Sequence, residues 1–228
     1  MRSHNEDAML DDAGNRLWAV ADGMGGHSAG DVASNAIVEK LRGLVRPPST
    51  ADYVDRVDDA IAEVNAYLIK YARDRHLQLV GSTAVVLLAA ERFMLYAWTG
   101  DSRIYQWAGG GLRRLTADHT QAQQMLSTGQ FSAADIQRAP DAGALVRAVG
   151  AEPDLVVEWG ACDAAPHDVF LLCSDGVTKE LSDQEIGEML SGRGTVEEIA
   201  DTILETCLAR GARDNVTALV VRVDPPKK

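Results

Sequence analysis

Two apolar runs, LWAVADG from Leu17 to Gly23 and VFLLCSDG from Val169 to Gly176, end on the same dipeptide. A strand that is hydrophobic up to its last residue and then presents a carboxylate holds that group rigidly at a sheet rim, and glycine gives the backbone room to turn. Strand geometry adds a third carboxylate, because Arg213-Asp214-Asn215 immediately precedes VTALVVRV, Val216 to Val223. If that run pairs antiparallel with VFLLCSD, its start lies beside the other's end, and Asp175 and Asp214 fall on one rim. Asp22, Asp175 and Asp214 crowded there, with no arginine or lysine between them, would repel and raise one another's pKa. A divalent cation relieves that repulsion, and all-oxygen donors suit magnesium, manganese or calcium.

Asp-Gly is also a strong hairpin-turn signal. Asp22 to His27, however, reads DGMGGH, with more glycine than a two-residue turn uses. A phosphate-cradling loop before a helix is the other use of such glycines. The segment lacks G-x-x-x-x-G-K-[ST], and its spacing is not G-x-G-x-x-G, which argues against nucleotide binding.

Periodicity predicts mixed helix and strand. Ser28 with Asp31 forms a capping-box start, after which Ala33, Ile37, Leu41 and Leu44 mark one helical face. A second helix is expected from about Thr50, where Val54, Val57, Ile61, Val64 and Leu68 recur at three and four. TAVVLLAA and FMLYAWTG, separated by Glu91-Arg92, read as a hairpin. Antiparallel pairing there sets Gly81-Ser82-Thr83 beside Gly100-Asp101-Ser102-Arg103 on one rim. A short strand at Ile104 to Trp107 and a turn at Gly109 to Gly111 continue the meander. Thr116 to Gly150 reads as a mobile excursion of short helices and loop. Strands follow at Leu155 to Trp159 and Val169 to Ser174, then helices opened by Ser182 with Glu185 and by Thr195 with Glu198, the latter ended by Gly211. Short turns between strands imply antiparallel sheet, so the fold class is α+β with helices packed on sheet faces.

The 228 residues, 46% hydrophobic, are enough to bury a sizeable core. A net charge of −12 argues against nucleic acid or an anionic membrane as the main partner. Cys162, Cys173 and Cys207 show no C-x-x-C spacing and leave an odd one over, which suggests neither a disulfide framework nor a zinc site. The chain opens on charged residues instead of a signal sequence, and its apolar runs are too short to span a bilayer, so a cytoplasmic location is expected.

Read together, RSHNED (Arg2 to Asp7), VADGMGGH, GSTA, GDSR, LTADH, CSDGV and DNVT resemble, in order and spacing, the metal-dependent serine/threonine protein phosphatases of the protein phosphatase 2C type in their bacterial form. The match runs essentially end to end. The resemblance implies a four-layer α-β-β-α sandwich, two central antiparallel sheets flanked by helices, forming one domain over residues 1–228 with a flap at about 116–150. It implies a centre of two manganese or magnesium ions with room for a third. Asp22 would bridge both ions, Gly23 would ligate one through its carbonyl, and Asp175 and Asp214 would hold the other. Asp118 resembles the ligand of a third, weaker ion shared with Asp175, while Glu6 and Asp7 would act through metal-bound water. Arg2 would present its planar fork to the phosphate. His119 reads as a polar helix-start residue.

The implied activity is hydrolysis of phosphoserine and phosphothreonine in bacterial proteins by a metal-activated water, in signal transduction opposing a serine/threonine kinase, by a monomer. The alternatives are dephosphorylation of an anti-sigma-factor antagonist and a non-catalytic phosphoprotein-binding pseudophosphatase; retention of the aspartates speaks against the latter. Two departures stand out. Met24 follows Asp22-Gly23 where many eukaryotic relatives carry a histidine thought to act as general acid, so water is the expected proton donor. Relatives also have a preceding segment that forms an initial strand, whereas this chain begins almost on its first motif, so a sheet position is expected to be unfilled and Arg2 weakly anchored.

Overall fold

The computed structural model describes residues 4–25, 29–91 and 93–225. Arg2, His27 and Ser28, singled out above, lie outside them. The chain runs through β1 (Asp7–Asp12), β2 (Leu17–Gly25), α1 (Gly30–Arg42), α2 (Thr50–Asp74), β3 (Val80–Ser82), β4 (Ala84–Ala89) and β5 (Phe93–Thr99). It continues with β6 (Arg103–Ala108), β7 (Gly111–Arg114), α3 (Gln121–Thr128), α4 (Ala133–Arg138) and β8 (Glu158–Asp163). Last come β9 (Val169–Cys173), α5 (Asp175–Thr178), α6 (Asp183–Leu190), α7 (Val196–Ala209) and β10 (Ala218–Arg222).

One sheet has the order β1-β2-β4-β5-β8, with β3 also paired to β2, and the other has the order β10-β9-β6-β7. Every pairing is antiparallel. The central strands β2, β4 and β9 carry apolar runs because both of their faces are covered, and successive side chains serve different layers. In β2, Trp18 and Val20 join Val85, Leu87, Phe170 and Leu172 between the sheets. Ala19 and Ala21 face the other way, against Ala33, Ile37 and Leu41 of α1. In β9, Leu171 and Cys173 meet Ile186, Ile203 and Cys207 of α6 and α7. The three cores make the expected α-β-β-α stack. Side chains such as Leu87 and Phe170, with no exposed surface, each contribute ~1.5–3 kcal/mol of burial.

Several local expectations needed correction. Asp22-Gly23 does not end its strand; β2 runs on to Gly25, pairing Gly23 to Gly25 with β3. Asp175-Gly176 does follow the end of an apolar strand, β9, as expected, and opens α5 with Ser174 as N-cap in place of a hairpin turn. α1 has Ala29 at its N-cap without a side-chain cap, and the Asp31 carboxylate accepts from the Val32 N–H. β8 begins at Glu158, where pairing with Trp98 starts, while Leu155 and Val157 pack toward the helix-covered core. The capping boxes at Ser182 and Thr195 form as expected, and Gly211 follows α7 at φ 80°. Within segment 116–150, the bridge Thr120↔Leu145 closes the excursion on itself, and Ser82↔Val149 ties its end back to the body.

Candidate metal centre

Asp22 and Asp7 are directly opposed in the β1–β2 register. The Asp22 N–H donates to Thr83 Oγ1 (3.0 Å), and its carbonyl accepts from Thr83 N–H (2.9 Å) and Ser82 Oγ (3.0 Å). Thr83 Oγ1 lies 2.7 Å from Ser102 Oγ, so the GST and GDSR clusters do share a rim. Gly100, at φ 103°, allows that approach: a Cβ there would meet Thr83 Cγ2 at 2.6 Å.

The second sheet supplies the opposite wall. Antiparallel β9 and β10 pair Cys173 with Ala218, which brings Asp175 and Asp214 onto one rim. A Cβ on Gly176 would sit 1.8 Å from the Asn215 carbonyl oxygen, so only glycine lets the 214–216 segment cross the start of α5. Asp7 links the two sheets, since its Oδ2 accepts from Ser174 Oγ (2.8 Å) and Thr217 Oγ1 (2.7 Å). Asn215 holds the chain start, accepting from Glu6 N–H (3.0 Å) and donating to the His4 carbonyl (3.1 Å). The Glu6 carboxylate lies against Gly30 beside the Gly23 carbonyl, where a Cβ on Gly30 would meet Glu6 Oε1 at 2.5 Å.

The electrostatics are those of confined like charges. Burial, then the charges of Asp7, Asp175, Asp101 and Asp214, push Asp22 up to about 9. Burial also raises Asp7, aided by Asp175 and opposed by the hydroxyls of Thr217 and Ser174. Asp101, to which no role was given from sequence, is pushed up to about 6 by burial, Asp175 and Asp118. Its position in GDSR, directly after a rim glycine, is the signal that could have exposed it.

Lysine and arginine are present, against expectation. Lys179 Nζ lies 2.5 Å from Asp175 Oδ2 and 2.8 Å from Asp214 Oδ2. Burial opposes the ammonium charge, yet these two bonds hold its pKa above the ordinary value. Arg103 grips Asp118 bidentately, Nε to Oδ1 at 2.9 Å and a terminal nitrogen to Oδ2 at 2.6 Å. Asp118 therefore faces the same acidic neighbourhood but is already engaged. Among the described residues, no group of three His, Cys, Asp or Glu side chains is placed to hold an ion. The carboxylates nonetheless fit a cation, because Asp7 Oδ1 and Asp175 Oδ1 are buried without a hydrogen-bond partner. Such an oxygen costs free energy until a proton or cation meets it.

His119 is structural. The Gly100 N–H donates to its Nδ1 (3.1 Å), its ring stacks on Trp98, and burial lowers its pKa. Met24 packs toward Gly81 of β3, 3.1 Å from where a Cβ would be.

A family model described as Protein phosphatase 2C matches residues 2–220. The serine/threonine phosphatase stp of Listeria monocytogenes serovar 1/2a is 35% identical over 236 residues, covering 100% of this chain and 94% of that protein. The structure of PppA, described as a key regulatory component of the T6SS in Pseudomonas aeruginosa, superimposes with TM-score 0.89 at 39% identity, covering 97% of this chain and 92% of that one. The catalytic domain of the serine/threonine protein phosphatase PstP, in complex with two manganese ions, matches with TM-score 0.85 at 32% identity, covering 99% and 94%. With the sandwich, the acidic rim and these similarities in agreement, the chain belongs to the protein phosphatase 2C family.

Proposed function

We propose that this chain hydrolyses phosphoserine and phosphothreonine in proteins, at a centre holding two divalent cations, manganese or magnesium, and that it opposes a bacterial serine/threonine kinase. The observation that carries the reading is the acidic rim itself: half-buried Asp22 faces Asp7 across the β1–β2 pair, and Asp7 Oδ1 and Asp175 Oδ1 are buried without a hydrogen-bond partner. Lys179 and Arg103 neutralise Asp175, Asp214 and Asp118, but the crowded oxygens of Asp7 and Asp22 still call for a cation. The manganese-bound PstP structure and the naming of the Listeria relative support the same assignment.

Asp22 would contact both ions, the Gly23 carbonyl one of them, and Asp175 with Asp214 the other. Glu6 and Asp7 would act through intervening water, and Asp118 would serve a third, weaker ion in competition with Arg103. Bound cations would lower the pKa of the attacking water and offset charge on the phosphoryl oxygens. The chain's own residues then orient and confine. Ser174 and Thr217 fix the Asp7 carboxylate, and Thr83 with Ser82 fixes the Asp22 backbone. Arg2 is the candidate for gripping the phosphate with its fork. Met24 offers no proton, so water protonates the departing serine or threonine oxygen.

We read residues 1–228 as one catalytic domain, acting as a monomer in the cytoplasm, with segment 116–150 as a flap beside the centre. No helix among the described residues is long and apolar enough to cross a membrane, and the net charge of −12 disfavours nucleic acid. Phosphate release from a phosphothreonine peptide tests the activity. Manganese should support it, and chelator or Asp175→Asn should abolish it; release that survives both treatments contradicts the assignment.

A further inference from the structure

Lys179 lies one helical turn beyond Asp175, its N–H donating to the Asp175 carbonyl at 2.8 Å. Residues four apart on a helix share a face, so its side chain returns over Asp175. The ammonium takes one oxygen from Asp175 and one from Asp214. These are the two carboxylates assigned above to a single cation, and the other Asp175 oxygen is buried without a partner. Lys179 thus occupies the place of a bridging cation while its side chain is 51% exposed. Its four-carbon stem is flexible, and Lys179 lines, together with Asp214, Glu180, Arg210 and Arg213, an open cavity of about 490 Å³.

We propose that Lys179 is a tethered counter-cation for the Asp175–Asp214 half of the centre: it neutralises that pair until an incoming divalent cation displaces its half-exposed ammonium toward solvent. The inference rests on the metal reading above. It makes the two ion sites unequal, because one of them must be won from an internal competitor. An arginine would bridge equally well, and a neutral side chain of the same length would not.

Calorimetric titration of the intact, metal-stripped protein with manganese, paired with thermal melts in chelator, tests this. Lys179→Met should tighten one class of manganese sites by about tenfold, the scale of two half-exposed ion pairs, and lower the melting temperature in chelator. Lys179→Arg should stay near wild type in both measurements. Arg213→Gln, which removes a charge from the same cavity, should change manganese affinity less than Lys179→Met does. Equal affinity and equal melting of wild type and Lys179→Met would overturn the role of Lys179 while leaving the metal reading intact, as would an Arg213→Gln effect as large as that of Lys179→Met. No manganese binding by the wild type would overturn both.

Discussion

Asp7 and Asp22 face each other across the β1–β2 pair, and the same Asp7 carboxylate accepts two hydroxyl hydrogen bonds from the opposite sheet, from Ser174 and Thr217. One side chain therefore adds to the repulsion at Asp22 and joins the two halves of the sandwich.

That dual role separates two substitutions. Asp7→Ala leaves two hydroxyls without their acceptor, and should destabilise the manganese-loaded protein by about 2 kcal/mol, on the scale of a buried group losing its partner. Without metal the loss should be smaller, because repulsion at Asp22 is relieved. Asp7→Asn keeps an acceptor and should lie between. Denaturant melts with manganese and with chelator measure the difference.

The raised Asp22 pKa gives the metal-free protein a pH dependence of known sign. A carboxyl raised from 3.8 to about 9 in the fold holds its proton more tightly when folded. Its contribution to stability is complete below pH ~4 and is lost as pH rises toward ~9. In chelator the melting temperature should therefore fall between pH 6 and pH 9. Manganese, which stabilises the ionised form, and Asp22→Asn, which removes the titration, should each flatten that slope. An equally steep fall in all three samples would contradict the assignment.

Gly176 permits the crossing of α5 by the 214–216 segment, since a methyl group there would lie 1.8 Å from a backbone oxygen. Gly176→Ala should cost about 1–3 kcal/mol of stability and, by moving Asp214, most of the activity even at saturating manganese. Ala substitution at Gly109, where an added Cβ meets nothing, supplies the control, although its φ of 59° costs some stability of its own. Unfolding midpoints and phosphate release on both variants separate displacement of the site from backbone strain.

Arg103 and Asp118 form a fork-to-fork pair with side chains 20% and 14% exposed. Removing the arginine leaves this largely buried carboxylate only the looser contact of Arg114 at 3.8 Å, so Arg103→Ala should destabilise by about 2 kcal/mol, and Arg103→Lys, limited to a point contact, by less. Asp118→Asn in the Arg103→Ala background should recover part of the loss, which a double-mutant cycle reads directly.

Much of the arrangement was legible in the chain because strand pairing is a strong constraint. VFLLCSD and the run after Asp214 could form one rim only if antiparallel, and Cys173 does pair with Ala218. TAVVLLAA and FMLYAWTG likewise fixed the meeting of Thr83 and Ser102. What escaped depended on side-chain reach instead of periodicity. Lys179 reads as an ordinary exposed lysine until a short helix turns it back over Asp175, and Arg103 as part of a motif until it closes on Asp118. Asp101 stands within GDSR, but its charge acquires meaning only from neighbours distant in sequence, Asp175 above all. The start of α1 differed from expectation: Ala29 is its N-cap, and the helix opens at Gly30, whose carbonyl would meet a Cβ on Gly23 at 2.0 Å.

The central claim is a two-cation centre organised by Asp22, and manganese stoichiometry on the metal-stripped protein tests it most directly. The wild type should bind at least two ions, Asp175→Asn should lose one class of site, and Asp22→Asn should weaken every class while remaining folded by circular dichroism. Wild-type manganese binding undiminished in folded Asp22→Asn would contradict the account.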